Sequence, residues 1–156
     1  MTIRKATVAD VDDIFKLIKE LAVFEKEPHA VEISTDDLRK DGFGENPLFE
    51  AFVAEVDNKI LGMALYYNRY STWKGKTIHL EDLIVSKSAR GKGIGMALYT
   101  EILKEGKKQN VRRIEWNVLD WNTTAISFYE KTGAKVLHEW CNAQIDIVAV
   151  RDFLNR

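Results

Sequence analysis

Leu83-Ile84-Val85-Ser86-Lys87-Ser88-Ala89-Arg90-Gly91-Lys92-Gly93-Ile94-Gly95-Met96 runs from an apolar strand end, through a basic glycine-rich loop, into a helix. Ile94, Leu98 and Ile102 recur at four-residue steps, so the segment from Met96 to Gln109 reads as a helix with one buried face. Gly91, Gly93 and Gly95 remove the side chains that would hold a diphosphate off the backbone. The helix's unpaired amides and positive dipole end then face it, with Arg90 and Lys92 adding charge. A nucleoside triphosphate loop would close on Lys-Ser or Lys-Thr, whereas Gly95 is followed here by Met96. A dinucleotide fingerprint would place its third glycine one position later; Glu115 and Asp120 lie at a tolerable distance for a ribose carboxylate, and this alternative stays open on spacing alone.

Working towards the N-terminus, Thr77 to Val85 reads as a strand interrupted by the adjacent acids Glu81 and Asp82. Neighbouring strand residues face opposite ways, so one acid points away from the other or the strand is bulged. Leu48 to Val56 and Lys59 to Tyr70 form two strands joined by Asp57-Asn58, a favourable hairpin pair. Ser34 and Thr35 open a short helix ending near Gly42, and Glu25 to Ile33 is loop. Thr2 to Ala6 is a strand, and Thr7 with Asp10 caps a helix through Phe24 on which Val11, Ile14, Ile18 and Leu21 share a face. Towards the C-terminus, the spacing predicts a strand over Arg113 to Val118 and a helix over Thr123 to Thr132 closed by Gly133. A last pair of strands follows over Ala134 to Leu137 and Ala143 to Val150. The chain therefore reads as an α/β (α+β) protein with a single domain over residues 1–156.

Composition narrows the partner. Basic and acidic residues number 23 and 24, so neither a nucleic-acid footprint nor a charged membrane patch is expected, and a small molecule is. The lone Cys141 excludes an intrachain disulfide and suits a reducing cytoplasm. The start of the chain is polar and no long apolar run occurs, so neither a signal peptide nor a membrane span is expected. His29, His79 and His138 are too dispersed for a metal site. Trp73, Trp116, Trp121 and Trp140 read as packing residues.

Arg90-Gly91-Lys92-Gly93-Ile94-Gly95 after Leu83-Ile84-Val85 resembles the acetyl-CoA signature of the GNAT superfamily of N-acetyltransferases. Trp121-Asn122 and Ser127-Phe128-Tyr129-Glu130-Lys131-Thr132-Gly133-Ala134 resemble its later motif. Leu17 to Ala22, Asp41 to Pro47, Ala64-Leu65-Tyr66-Tyr67 and Leu80-Glu81-Asp82 are similar to one branch, the spermidine/spermine (diamine) acetyltransferases and their thialysine-acetylating relatives. The resemblance runs from about Arg4 to Ala134, with Phe24 where the animal polyamine enzymes carry a tyrosine.

The resemblance implies a mixed, mostly antiparallel, twisted sheet of six to seven strands flanked by about four helices, its two central strands splayed. The backbone of Leu83, Ile84 and Val85 would bind the pantetheine arm of acetyl-CoA, and Arg90 to Met96 its diphosphate. It also implies that Asn122, Ala125 and Tyr129 line the cofactor, with Tyr129 as the general acid that protonates the departing thiolate of CoA. An acceptor ammonium has a pKa of about 10, so a nearby carboxylate should help remove its proton. Glu81 is the candidate, as base or as cation anchor. Asp82 has the weaker claim because it should face the other side. Phe24, Glu25 and Glu139 complete the expected amine side. The expected activity is acetylation of a small diamine, polyamine or lysine-like amine by direct attack in a ternary complex, by a homodimer. A protein or peptide N-acetyltransferase and a non-catalytic CoA sensor are the alternatives.

Overall fold

Asp57 and Asn58 both adopt left-handed backbone (φ 49° and 60°), the geometry of a two-residue hairpin turn whose twist matches its strands. The turn joins β2 (Glu50–Val56) to β3 (Lys59–Ser71), with Val56 opposite Lys59. The computed structural model describes residues 1–156 and divides them into two compact units, Met1–Asn117 and Val118–Arg156.

The first unit holds one sheet in the order β1-β2-β3-β4-β5, with β1 at Thr2–Lys5, β4 at Gly75–Val85 and β5 at Ile114–Glu115. Three of its pairings are antiparallel and only β4 with β5 is parallel. Strand pairing fixes what each face buries. Val53, Met63 and Ile84, opposite one another across three strands, pack on Val11, Ile14 and Leu17 of helix α1 (Val11–Phe24) and Leu38 of helix α2 (Thr35–Phe43). Gly62, one residue from Met63, faces the other side. A Cβ there would stand 3.0 to 3.2 Å from the Ile84 carbonyl, Leu98 and Ile94, so the missing side chain lets helix α3 (Ile94–Lys108) lie close to the sheet. The predicted Thr7/Asp10 capping box is present, at the start of the 3-10 turn Val8–Asp10 that leads into α1. Asp10 accepts from the Thr7 amide at 2.8 Å and from both terminal nitrogens of Arg4 at 2.8 and 2.9 Å.

The second unit carries helices α4 (Thr123–Glu130) and α5 (Ile147–Leu154). Here the structure corrects the sequence reading. Neither Ala134–Leu137 nor Ala143–Val150 forms a strand, so the sheet has five strands rather than six to seven, and the helices number five rather than about four. Asp146 accepts a hydrogen bond from the Ala149 amide at 2.8 Å, and this cap turns the alternating run into a helix. The strand expected over Arg113 to Val118 is two residues long. No helix is long and apolar enough to cross a membrane.

Candidate active site

Gly91 and Gly93 adopt φ of 77° and 78°, conformations that cost an L side chain heavily, and a Cβ on either would meet nothing within 4 Å. Gly93 is the N-cap of α3 and offers no side chain to its amides, and no acidic residue sits in the first turn. The other helix starts are occupied differently. α1 has Asp12 and Asp13 in its first turn, while α2, α4 and α5 are capped by Ser34, Asn122 and Asp146. Bare amides, open space above two left-handed glycines and exposed Lys92 fit an anion there. Gly95 differs: its Cβ would meet only Val85 Cγ2 at 3.6 Å, an ordinary contact, so neither a left-handed turn nor a neighbouring protein atom requires a glycine there. Arg90 Nε donates to the Val85 carbonyl at 3.0 Å and the guanidinium lies 5.1 Å from the Phe24 ring centre, while the Lys87 amide donates to Glu20 at 2.7 Å. The loop is thereby tied to the end of β4 and to α1. Ile94 is buried in the core and Met96 is exposed.

β4 supplies a second feature. Its parallel ladder with β5 consists of Ile78 opposite Ile114 and His79 opposite Glu115, after which β4 runs on to Val85 with no strand on that side. The rim at Leu83, Ile84 and Val85 can therefore accept an extended amide chain as a further strand would bind.

The adjacent acids sit at an irregularity. Tyr66 is opposite Leu80 and Leu65 opposite Asp82, so Glu81 is an extra residue bulged out of β4. The expectation that Glu81 and Asp82 face opposite sides fails for this reason. Asp82 lies on the face of Leu65 and Tyr67, and Glu81 reaches the same face, accepting from Tyr67 Oη at 3.2 Å with His79 Nε2 at 3.3 Å. The His79 hydrogen bond, followed by that of Tyr67, holds the Glu81 carboxyl below the usual carboxylate range. Loss of solvent, then the charges of Glu81 and Glu25, push Asp82 up to about 7. Glu25, at the C-terminal end of α1, is itself raised by desolvation and by Glu81. Three carboxylates thus share one region, one held below its ordinary range and two raised above it. They can hold a cation and take up a proton near neutral pH.

In the second unit, Asn122 Oδ1 caps α4 by accepting from the Ala125 amide at 3.2 Å, so its capping role is realised. Tyr129 is 9% exposed and packs edge-on against Phe128, with ring centres 5.2 Å apart. Glu139 lies in an exposed turn. The sequence reading passed over His79, Tyr67 and Arg69. The signal was the two-residue spacing of His79 and Glu81, which marks residues sharing a strand face.

Residues 11–134 match the model of the Acetyltransferase (GNAT) family. A thialysine N-epsilon-acetyltransferase of Mus musculus is 38% identical, covering 99% of this chain and 97% of its own. A spermidine/spermine N(1)-acetyltransferase-like protein of Homo sapiens is 36% identical over 85% of this chain and 20% of its own length. Among solved structures, an integron cassette protein from V. cholerae superposes with a TM-score of 0.80 at 26% identity, covering 99% of this chain and 98% of that one.

Proposed function

Because the chain belongs to the GNAT acetyltransferase family, acyltransferases that use acetyl-CoA and release CoA, we propose that it acetylates a primary amine of a small diamine, polyamine or lysine-like molecule by direct attack in a ternary complex. The observation that carries the acceptor class is the bulge that gathers Glu81 and Asp82 on one face beside Glu25. An ammonium group beyond the reacting amine would find a fixed negative partner there, as a diamine or lysine analogue requires. Relatives named for thialysine and for spermidine/spermine support the same class.

The uncapped start of α3, the space above Gly91 and Gly93 and the unpartnered rim of β4 at Leu83 to Val85 fit the diphosphate and amide arm of the donor. When bound, acetyl-CoA supplies an activated acetyl carbonyl and a thiolate leaving group. Glu81, kept ionised, anchors the acceptor as an ammonium. Asp82, poised near 7, is the better match for taking the attacking nitrogen's proton, because a base is most effective when its pKa lies near the working pH. Tyr129 keeps the role of general acid, its Oη delivering a proton, with Asn122 and Ala125 on the cofactor side and Phe24, Glu25 and Glu139 on the amine side.

The family match crosses from the first unit into the second, which supports one acetyltransferase domain over residues 1–156. We further propose a homodimer working in the cytoplasm, for which exposed Tyr70, Trp73 and Trp140 offer interface anchors. Light scattering at micromolar concentration checks the dimer, and a monomer mass refutes it. The acceptor is tested by offering diamines, lysine analogues and peptides with acetyl-CoA and following CoA release. Turnover of the small amines is expected, and turnover of peptides alone would overturn the proposal.

A further inference from the structure

We propose that His79 is a positioning residue for the acceptor site. It is locked by Arg69 into the tautomer that donates to Glu81 and so fixes where that carboxylate points. This deepens the acceptor reading above and rests on it for its functional consequence.

The geometry is a single line of polar contacts across three strands. Arg113 Nε lies 2.6 Å from one Glu115 oxygen, and Arg69 Nη1 lies 2.7 Å from the other. The same Arg69 nitrogen stands 3.1 Å from His79 Nδ1. A guanidinium can only donate, so Nδ1 is the acceptor and the ring proton sits on Nε2, 3.3 Å from Glu81 Oε2. Tyr67 closes the arrangement from β3, its ring tilted on the imidazole at 5.2 Å and its hydroxyl on the same Glu81 oxygen at 3.2 Å. His79 is 5% exposed whereas the Glu81 side chain is half exposed, so the buried ring is the fixed partner and the carboxylate the held one. The short β4–β5 ladder accounts for the rest, because Glu115 is the residue directly opposite His79. Arg69 also acts on Glu81 through its charge, while Asp82 and Glu25 are like-charged when ionised, so His79 and the Tyr67 hydroxyl are the side chains that donate to this carboxylate. A lone histidine two residues before an acid in a strand would otherwise be dismissed as filler. Here both its nitrogens have assigned partners.

The test compares His79→Leu with His79→Gln, whose longer amide can accept from Arg69 and donate to Glu81. Two readouts are used. Carbon-13 NMR titration of the Glu81 carboxyl needs no turnover, and steady-state kinetics uses a short diamine with acetyl-CoA. In His79→Leu the Glu81 titration moves to higher pH and the diamine KM rises about tenfold, the effect of losing one partly solvated charge-assisted hydrogen bond. CoA affinity by calorimetry stays unchanged, which also certifies the fold. His79→Gln returns both readouts to within about twofold of the parent or its titration position. In a Glu81→Gln background His79→Leu adds nothing to KM. If His79→Leu does not fold, His79→Asn, whose side chain is too short to reach both partners, takes its place. An unmoved Glu81 titration, equal damage in the leucine and glutamine variants, or multiplying effects in the Glu81→Gln background would each overturn the proposal. A parent protein inactive on every small amine would instead overturn the acceptor reading, leaving the titration to judge His79 alone.

Discussion

Gly93→Ala is expected to lower the melting temperature by about 2–8 °C and to weaken CoA binding at least tenfold. At φ 78° an alanine is in left-handed backbone, which costs an L residue about 1–2 kcal/mol. For a chain of this size each kcal/mol moves the melting point by about 2–4 °C, which sets the range. Two responses are open to the loop. If the backbone holds, the new methyl enters the open space within 4 Å of the glycine, where the diphosphate is proposed to lie. If instead it relaxes to negative φ, the first amides of α3 turn away. Either way at least one charge-assisted amide contact is lost, and such contacts are worth about tenfold or more. Gly95→Ala is the control. Its Cβ meets Val85 at an ordinary 3.6 Å, so its stability should stay within about 0.5 kcal/mol and its CoA affinity should be unchanged. Scanning calorimetry and CoA titration read both quantities. A Gly93→Ala protein that melts and binds like the parent, or a Gly95→Ala protein that is the worse of the two, would refute the account of the loop.

Asp82 must be unprotonated to accept a proton, so kcat/KM should fall as pH drops below about 7, and Asp82→Asn should abolish that limb of the profile. The same raised carboxyl has a stability signature. The folded state holds the proton more tightly than the unfolded chain, so this contribution is full below 3.8 and fades as pH rises through 7; Asp82→Asn should therefore gain melting temperature over the parent at pH 8 and not at pH 4. Tyr129→Phe should cut kcat about 100-fold while CoA affinity stays within about twofold, since the buried ring keeps its packing on Phe128. Asp10→Ala, which strips Arg4 and the Thr7 amide of their acceptor, should cost about 2 kcal/mol at pH 7. Arg4 depresses the Asp10 carboxyl, so thermal melts should show that gap to be full above 3.8 and to close as pH falls through the folded value.

Local rules made the first unit readable. Apolar spacing placed α1 and α3, and Asp57-Asn58 placed the hairpin, because each depends on residues a few positions apart. The adjacent acids announced a bulge or a split for the same reason. Which of the two occurs is set by pairing with β3, and that pairing is a long-range fact. His79 escaped notice because Arg69, which faces its ring, comes from β3 and is itself held by Glu115 of β5; only the spacing to Glu81 is local. The tail misled in the opposite direction. Ala143 to Ile147 alternates and is rich in β-branched residues, yet Asp146 caps a helix, and with no neighbouring strand the alternation has nothing to pair with. Arg113 to Val118 was read as a full strand, but only Ile114 and Glu115 find partners on β4.

The single supernumerary residue in β4 has a bearing on how the activity can be dissected. Leu80 and Asp82 already sit opposite consecutive residues of β3, so excising position 81 would leave the remaining ladder with ordinary pairing from Gly75 to Val85. The carboxylate proposed to anchor the acceptor is in that sense a detachable insertion. A chain shortened by this one residue would keep the glycine loop ahead of α3 and its hydrophobic layers, and would therefore test whether the proposed donor and acceptor sites can be separated.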